Sequence, residues 1–266
     1  MKFSIITPNR NGEHYLEQML RSVDQQRQDG IELEHWVCDG GSTDGSLAIL
    51  ERHQPNVRVI TETDSGPADA INKGLKAATG DILAWLNADD YYEPGALKRV
   101  AAVMAANPQA ALCFGRCRIV DEQGSEIRQG ITRFKELFFP LSSRFTIQSI
   151  NYISQPAMFF RRDAFAKAGP LRLDLKAAWD YEFILRLWRQ GGAVRVPGAP
   201  LSCFRWHPGS ISGQHFRLQF QEELEAALAD AGRYSLQGLL HRGVRAGIVG
   251  IYSLMESRRA ARADRH

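Results

Sequence analysis

The apolar run Ile82-Leu83-Ala84-Trp85-Leu86 stops at Asn87-Ala88-Asp89-Asp90, so two carboxylates stand directly at the end of what reads as a buried strand. Carboxylates at such an edge are costly unless paired or bound to a cation. Hard oxygen donors suit Mg²⁺ or Mn²⁺, and a cation there neutralises a diphosphate leaving group as its charge develops. Helix capping ahead of Pro94 is the bland alternative, although a cap needs only one acid.

Three other loops carry chemistry of the same kind. Asp39-Gly40-Gly41-Ser42-Thr43-Asp44-Gly45-Ser46 combines glycines that permit tight turning with side chains that cap a helix. Asp39, at a strand's end, is placed to accept hydrogen bonds from a nucleobase or ribose, whereas Asp44 reads as the N-cap of the next helix. The loop from Asp64 to Gly74 has Pro67 near a helix start, where backbone N–H groups can meet an anion. Lys73 either adds charge to phosphate binding or is a solvated helix-surface lysine. The opening loop, Thr7-Pro8-Asn9-Arg10-Asn11-Gly12, has neither GxGxxG nor GxxxxGK[ST], which argues against a dehydrogenase and a P-loop NTPase.

Such loops need a frame that brings them to one edge. Phe3–Thr7, Glu32–Cys38, Val57–Thr61 and Ile82–Leu86 read as strands, alternating with helices over His14–Gln26, from Asp44, and over Ala68–Ala77. This repetition predicts a mostly parallel sheet flanked by helices, with ligands bound beyond the carboxyl ends of its strands. Further on, a helix is predicted over Pro94–Asn107 and a long strand over Ala110–Asp121, turning at Glu122–Ser125 into a second strand. A strand over Pro156–Phe160, an amphipathic helix over Trp179–Gln190 and late strands over Ala193–Val196 and Leu201–Trp206 follow. Between them, Ile131–Tyr152 carries Phe134, Phe138, Phe139 and Phe145 without a clear period and reads as a mobile or acceptor-facing insertion.

The bulk properties narrow the class. The 266 residues are 44% hydrophobic and 24% charged, enough for one large core, and the net charge of +3 does not argue for nucleic acid. Cys38, Cys113, Cys117 and Cys203 are scattered, match no zinc or CxxC spacing, and are expected to be reduced and structural. The chain begins without a signal-peptide pattern and has no apolar run long enough for a membrane helix, so a cytoplasmic location is expected.

Taken in order, SIITPNRNG, DGGSTDGS, DSGPADAINKG and NADD resemble the nucleotide, phosphate and metal sites of the family 2 glycosyltransferases, over residues 2–212. The resemblance implies an α/β chain with a single GT-A (Rossmann-like) domain over residues 1–213 and a C-terminal helical extension over 214–266. It implies an inverting, non-processive transferase that moves a sugar from a nucleoside-diphosphate sugar to a hydroxyl of a glycan or polyprenyl-linked acceptor, in surface polysaccharide or glycolipid assembly. Donor contacts then fall to Thr7, Pro8, Arg10, Asp39, Gly66, Asp69, Asn72, Lys73, Asn87 and Ala88. The family's DxD motif, which holds the divalent cation (Mn²⁺ or Mg²⁺), stands here as Asn87-Ala88-Asp89. Asp89 is thus the implied metal ligand, Asn87 serves the ribose or a coordinated water, and Asp90 assists from behind.

Asp180, in Trp179-Asp180-Tyr181-Glu182, matches the family's general base; by position alone it also reads as an acid favoured at a helix N-terminus. A single base opposite the leaving diphosphate implies direct displacement with inversion. In Phe204-Arg205-Trp206-His207-Pro208-Gly209-Ser210-Ile211-Ser212, similar to a late loop of non-processive members, His207 is a second candidate metal ligand or a surface histidine. Arg205-Trp206 is similar to the end of the QxxRW motif of processive synthases, but Ser202 stands where Gln would be.

Two amphipathic helices are read after the late loop, Phe216–Ala231, rich in Glu, and Leu236–Arg262, which ends in the basic cluster Arg258-Arg259-Ala260-Ala261-Arg262. Anionic lipid attracts such residues by about 1 kcal/mol each, which suits a protein peripheral on the inner face of the plasma membrane; a docking helix or dimer contact with a solvated basic end is the alternative. Two other classes compete with the transferase. An idle sugar-nucleotide-binding scaffold is suggested by Asn87 and opposed by Asp89 and Asp180, and a sugar nucleotidyltransferase needs a richer basic first loop than one with Arg10 alone.

Overall fold

In β1 (Lys2–Asn9) successive side chains enter opposite layers: Phe3 and Ile5 join one buried cluster with Leu16, Met19 and Leu20, and Ile6 joins another with Ile71, Leu75 and Leu83. A strand buried on both faces needs helices on both, and its apolar run is the mark of a parallel sheet. The computed structural model describes residues 1–210 and 216–263; the expected boundary at residues 213/214, Ile211, Ser212 and the side chains of the Arg258 to Arg262 cluster lie outside the described part.

After α1 (Glu13–Asp24) come β2 (Glu32–Asp39), α2 (Ser46–Arg52), β3 (Val57–Thr61), α3 (Pro67–Ala77) and β4 (Ile82–Trp85). β1 pairs in parallel with β2 and β4, and β2 with β3, with Asn9 opposite Asp39 and Asp39 opposite Thr61. The carboxyl ends of these strands therefore lie along one rim. β5 (Tyr91–Tyr92), α4 (Ala96–Ala106), β6 (Leu112–Phe114), β7 (Cys117–Val120) and β8 (Glu126–Ile127) follow, then α5 (Gln129–Glu136), α6 (Arg144–Ser149), β9 (Met158–Arg161), α7 (Arg162–Ala168), α8 (Trp179–Trp188), β10 (Ala193–Arg195) and β11 (Ser202–Arg205). Two helices, α9 (Phe216–Ala231) and α10 (Leu236–Ala263), complete the described chain.

The main sheet has the order β10-β6-β9-β4-β1-β2-β3, with β9 antiparallel to both of its neighbours, and a smaller sheet has the order β5-β11-β7-β8. The fold is thus mixed α/β with a mostly parallel central sheet, as the β-α repetition implied. Three expectations need correction. The long strand over Ala110–Asp121 is two strands in two sheets, because the chain turns at Gly115, where an added Cβ would lie 2.5 Å from Leu201 Cδ1. Helix α2 begins at Ser46 with Gly45 as its N-cap; Asp44 binds the N–H groups of Ser46 (3.0 Å) and Glu13 (3.0 Å) instead. The segment over Ile131–Tyr152 is packed structure: Phe139 and Tyr152 are buried against Phe114, at ring separations of 5.2 and 5.6 Å.

The C-terminal helices are strapped to this frame. Asp230 on α9 takes hydrogen bonds from Arg144 (2.9 Å) and Gln148 (2.6 Å) and pairs with Arg189, while His241 on α10 meets Gln148 O at 3.0 Å and packs on Tyr181. Among the described residues, no helix is long and apolar enough to cross a membrane. All four cysteines are buried and unpaired, and burial pushes the thiols of Cys38, Cys117 and Cys203 up to about 12.

Candidate active site

The rim of the parallel strands is knit by polar side chains. Asp39 is buried; its Oδ2 accepts from Asn9 Nδ2 (2.7 Å) and Ser42 Oγ (2.6 Å), and its Oδ1 from the N–H groups of Gly41 (3.1 Å) and Ser42 (2.8 Å). This Asx-type turn holds the loop after β2 against the loop after β1, where Asn11 Oδ1 accepts from Thr43 N at 2.8 Å. The carboxylate expected to face a nucleobase is therefore also the clamp of its own loop.

Beyond β4, Asp89 and His207 are 118 residues apart in sequence, yet His207 Nε2 lies 3.0 Å from Asp89 Oδ2. The hydrogen bond to Asp89 raises the proton affinity of His207 above that of an ordinary imidazole, against the opposing effect of burial. Asp90 turns inward and is 1% exposed, with Oδ1 accepting from Arg205 N (2.9 Å) and Oδ2 from Asn87 Nδ2 (3.1 Å). Burial, and then the charge of Asp89, push its carboxyl well above the usual range. Asn87 thereby has a physical reason to be an amide: it donates to Asp90, whereas a carboxylate there would have no proton to donate and would add an acid beside Asp89 and the buried Asp90.

Arg205 is the keystone of this corner. Its buried guanidinium donates to the carbonyls of Asp89 (3.0 Å), Asp121 (2.9 Å) and Glu122 (2.6 Å) and to Gln18 Oε1 (2.6 Å), between the rings of Tyr15 and Tyr91. It thus ties β11, which delivers His207, to the loop that delivers Asp89. Among the described residues, no group of three or more His, Cys, Asp or Glu is arranged to hold a metal ion. Asp89 with His207 is a two-donor set, which fits a hard cation that keeps water and phosphate oxygens in its shell better than it fits an all-protein cage.

Asp180 is elsewhere, in the first turn of α8, half-buried, with Oδ1 accepting from Tyr181 N at 2.8 Å. Burial raises its proton affinity above that of a free aspartate, opposed by the Tyr181 N–H and the Lys135 ammonium. Glutamine 155, which donates to Trp85 O at 2.7 Å, and the contact of Trp85 with Phe183 on α8 join the end of β4 to this helix.

The remaining expected residues are placed unevenly. Gly66 caps α3 at φ +133°, a backbone region that favours glycine, and its N–H binds Asp64 Oδ1 at 2.9 Å. Asp69 accepts from Ser65 N (3.0 Å). Pro8 and Ala88 are half-buried and Arg10 is exposed at the rim. Thr7 turns its hydroxyl into the core, 3.0 Å from His35 Nε2, because alternation along β1 points it at α1. Asn72 holds both backbone groups of Leu171, at 2.8 and 2.9 Å, and Lys73 donates to Thr63 O at 2.7 Å. Asn9, Gln18 and Tyr15 support the site, and Glu222 and Glu223 lie behind it, without having stood out in the sequence; the polar Asn9 at the carboxyl end of β1 was the one visible signal among them.

With this geometry in view, the comparisons with known proteins are specific. The model of glycosyl transferase family 2 matches residues 4–169. The chain belongs to that family. A PGL/p-HBAD biosynthesis glycosyltransferase of Mycobacterium bovis is 33% identical over 200 residues, spanning 72% of this chain and 72% of that protein. TarS of S. aureus, solved over 1-349 in complex with UDP-GlcNAc, shares the fold at a TM-score of 0.70 and 20% identity, over 94% of this chain and 72% of that one. The mannosyltransferase PcManGT from Pyrobaculum calidifontis, solved in complex with GDP-Man and Mn²⁺, gives 0.66 and 17% over 98% of this chain and 80% of that one. This family 2 glycosyltransferase has the GT-A fold, and the family match ends before Asp180 and His207.

Proposed function

We propose that the enzyme transfers a sugar from a nucleoside-diphosphate sugar to an acceptor hydroxyl with inversion at the anomeric carbon. Asp180 carries this assignment: a half-buried carboxylate of raised proton affinity in the first turn of a helix joined to the end of β4, as a general base requires. Asp180 takes the proton of the acceptor hydroxyl as its oxygen bonds to C1; the C1–O bond to phosphate breaks, and the nucleoside diphosphate leaves with the electron pair. Protonated Asp180 then returns its proton to solvent. One displacement on one face inverts the centre, and no nucleophilic carboxylate is needed.

Asp89 and His207 would hold a divalent cation together with the diphosphate, and Asn87, Ala88, Gly66 and the Thr7–Arg10 loop would line the donor. When bound, such a cation supplies neutralisation of the charge that develops on the leaving diphosphate. The Mn²⁺ in the PcManGT complex and the UDP-GlcNAc in the TarS complex support both choices of ligand. The acceptor is a glycan or polyprenyl-linked hydroxyl in surface polysaccharide or glycolipid assembly, and the mycobacterial relative is likewise named for a biosynthetic role, that of PGL/p-HBAD. Leu137, Leu141, Leu236 and Leu239 are exposed and, with the basic end of the chain, suit a cytoplasmic enzyme peripheral on an anionic membrane.

Calorimetry of the full chain with UDP-, GDP- and dTDP-sugars, each with and without Mn²⁺, tests donor class and metal need together. Mn²⁺-dependent binding of one donor is expected. Silence across the panel would instead favour an idle scaffold of the same fold.

A further inference from the structure

Helix α9 carries two consecutive glutamates to the segment that leads into α8. Glu222 is 7% exposed, and its carboxylate accepts three successive backbone N–H groups: Lys176 at 2.9 and 3.2 Å, Ala177 at 2.8 Å and Ala178 at 2.9 Å. Ala178 is the N-cap of α8, and Asp180 is the second residue of that helix. Glu223 is 4% exposed and accepts from Asn151 Nδ2 at 3.2 Å and Gln219 Nε2 at 3.1 Å. The charged and titratable groups that face it are Asp180 on α8, Lys135 on α5 and Tyr181, whose hydroxyl donates to Ile147 O. The Oδ1 atom of Asn151 is buried with no hydrogen-bond partner among the described residues, so the pocket keeps an acceptor in reserve.

We propose that these two glutamates make α9 a working part of the catalytic site: Glu222 is a positioning residue that fixes the turn bearing Asp180, and Glu223 is a second carboxylate whose charge sets how firmly Asp180 holds a proton. The role presupposes Asp180 as the acceptor of the hydroxyl proton. A carboxylate bridging three successive peptides defines their planes, and proton abstraction during displacement is sensitive to sub-ångström placement. Burial, and then the charge of Asp180, push the Glu223 carboxyl up to about 7. The pair therefore loses its second proton near neutrality, and ionised Glu223 makes Asp180 the stronger base.

The test uses the full chain and its E222A, E222Q, E223Q and D180N variants, with the donor selected by calorimetry and water as surrogate acceptor. Release of nucleoside diphosphate is followed from about pH 5 to about pH 9. E222A is expected to lower kcat about 100-fold with donor Kd unchanged, and E222Q, which keeps one acceptor oxygen, to recover part of that loss. E223Q is expected to erase an inflection in the pH profile at about 7. If E222A does not fold, E222Q carries the test through a drop in kcat of about 10-fold at unchanged donor Kd. Retention of parent kcat in the Glu222 variants, or an unaltered pH profile in E223Q, overturns the proposal while an inactive D180N leaves the base assignment standing. Parent-like turnover in D180N removes the base and with it both supporting roles.

Discussion

Replacing Arg205 by Met keeps most of the side-chain volume and removes the guanidinium that binds together the corner holding Asp89 and His207. Four acceptors lose their donor at once: the carbonyls of Asp89, Asp121 and Glu122, and Gln18 Oε1. The backbone N–H that serves Asp90 is retained, so that contact survives. At roughly 1 kcal/mol for each of these four hydrogen bonds lost, R205M should lose about 4 kcal/mol of stability. For a chain of this size that is a fall in Tm of about 10 °C, read by scanning calorimetry and by a lower urea midpoint at unchanged slope. Donor affinity in Mn²⁺ should fall as well, since Asp89 and His207 lose their common anchor. A loss of less than about 1 kcal/mol would refute the keystone role, because it would mean that solvent or neighbouring groups satisfy those carbonyls as well as Arg205 does.

Three further outcomes follow from the site and the frame. D180N should reduce kcat by about 1,000-fold and leave donor Kd, by calorimetry, nearly unchanged, because general-base assistance acts in the transition state; unchanged turnover would remove Asp180 from that role. D89A should weaken Mn²⁺-dependent donor binding on the order of 10-fold to 100-fold, and an unaltered Mn²⁺ titration would count against Asp89 as a ligand. Although burial pushes the Glu34 carboxyl up, hydrogen bonds from Ser4, Thr79 and Lys2 hold it down at about 2. The native state then binds fewer protons than the unfolded chain, so this stabilisation is present above the ordinary glutamate range and is lost as pH falls toward about 2. E34Q should flatten that acid limb in urea midpoints measured against pH, and an unchanged limb would assign it to other carboxylates.

The β-α order was legible because β1 to β4 are short segments centred on apolar and β-branched residues and separated by loops rich in Gly, Asp and Asn, where local pattern and tertiary role agree. β3 and α9 fall where periodicity put them, over Val57–Thr61 and Phe216–Ala231. The run Ala110–Asp121 misled because its apolar residues continue through a change of sheet, and only Gly115 marked the turn. In the site, Asp89 stood out as a carboxylate at a strand's end, whereas its meeting with His207 depends on β11 lying between β5 and β7, a long-range pairing that no local pattern encodes. Asn72 and Lys73, in the middle of α3, show another limit: their contacts with Leu171 O and Thr63 O depend on how that helix is docked and have no local signature. Glu222 could not be read at all, since a glutamate on a polar helix reveals its partners only when the helix is docked.

The position of β9 between β4 and β6 has a consequence for how the chain assembles during synthesis. Among the described residues β6 is hydrogen-bonded in the sheet only to β9 and β10, so residues 112–114 have no described strand partner until residues 158–161 have been made. The four strands β3-β2-β1-β4 can associate first, with only local crossovers, and the far half must wait. During that interval the β4 edge, bearing Leu83 and Trp85, is an unpaired apolar strand of the kind that recruits other chains. At a synthesis rate of about 5–20 residues per second, the exposure lasts several seconds, and the emerging polypeptide is most vulnerable to self-association just before β9 leaves the ribosome.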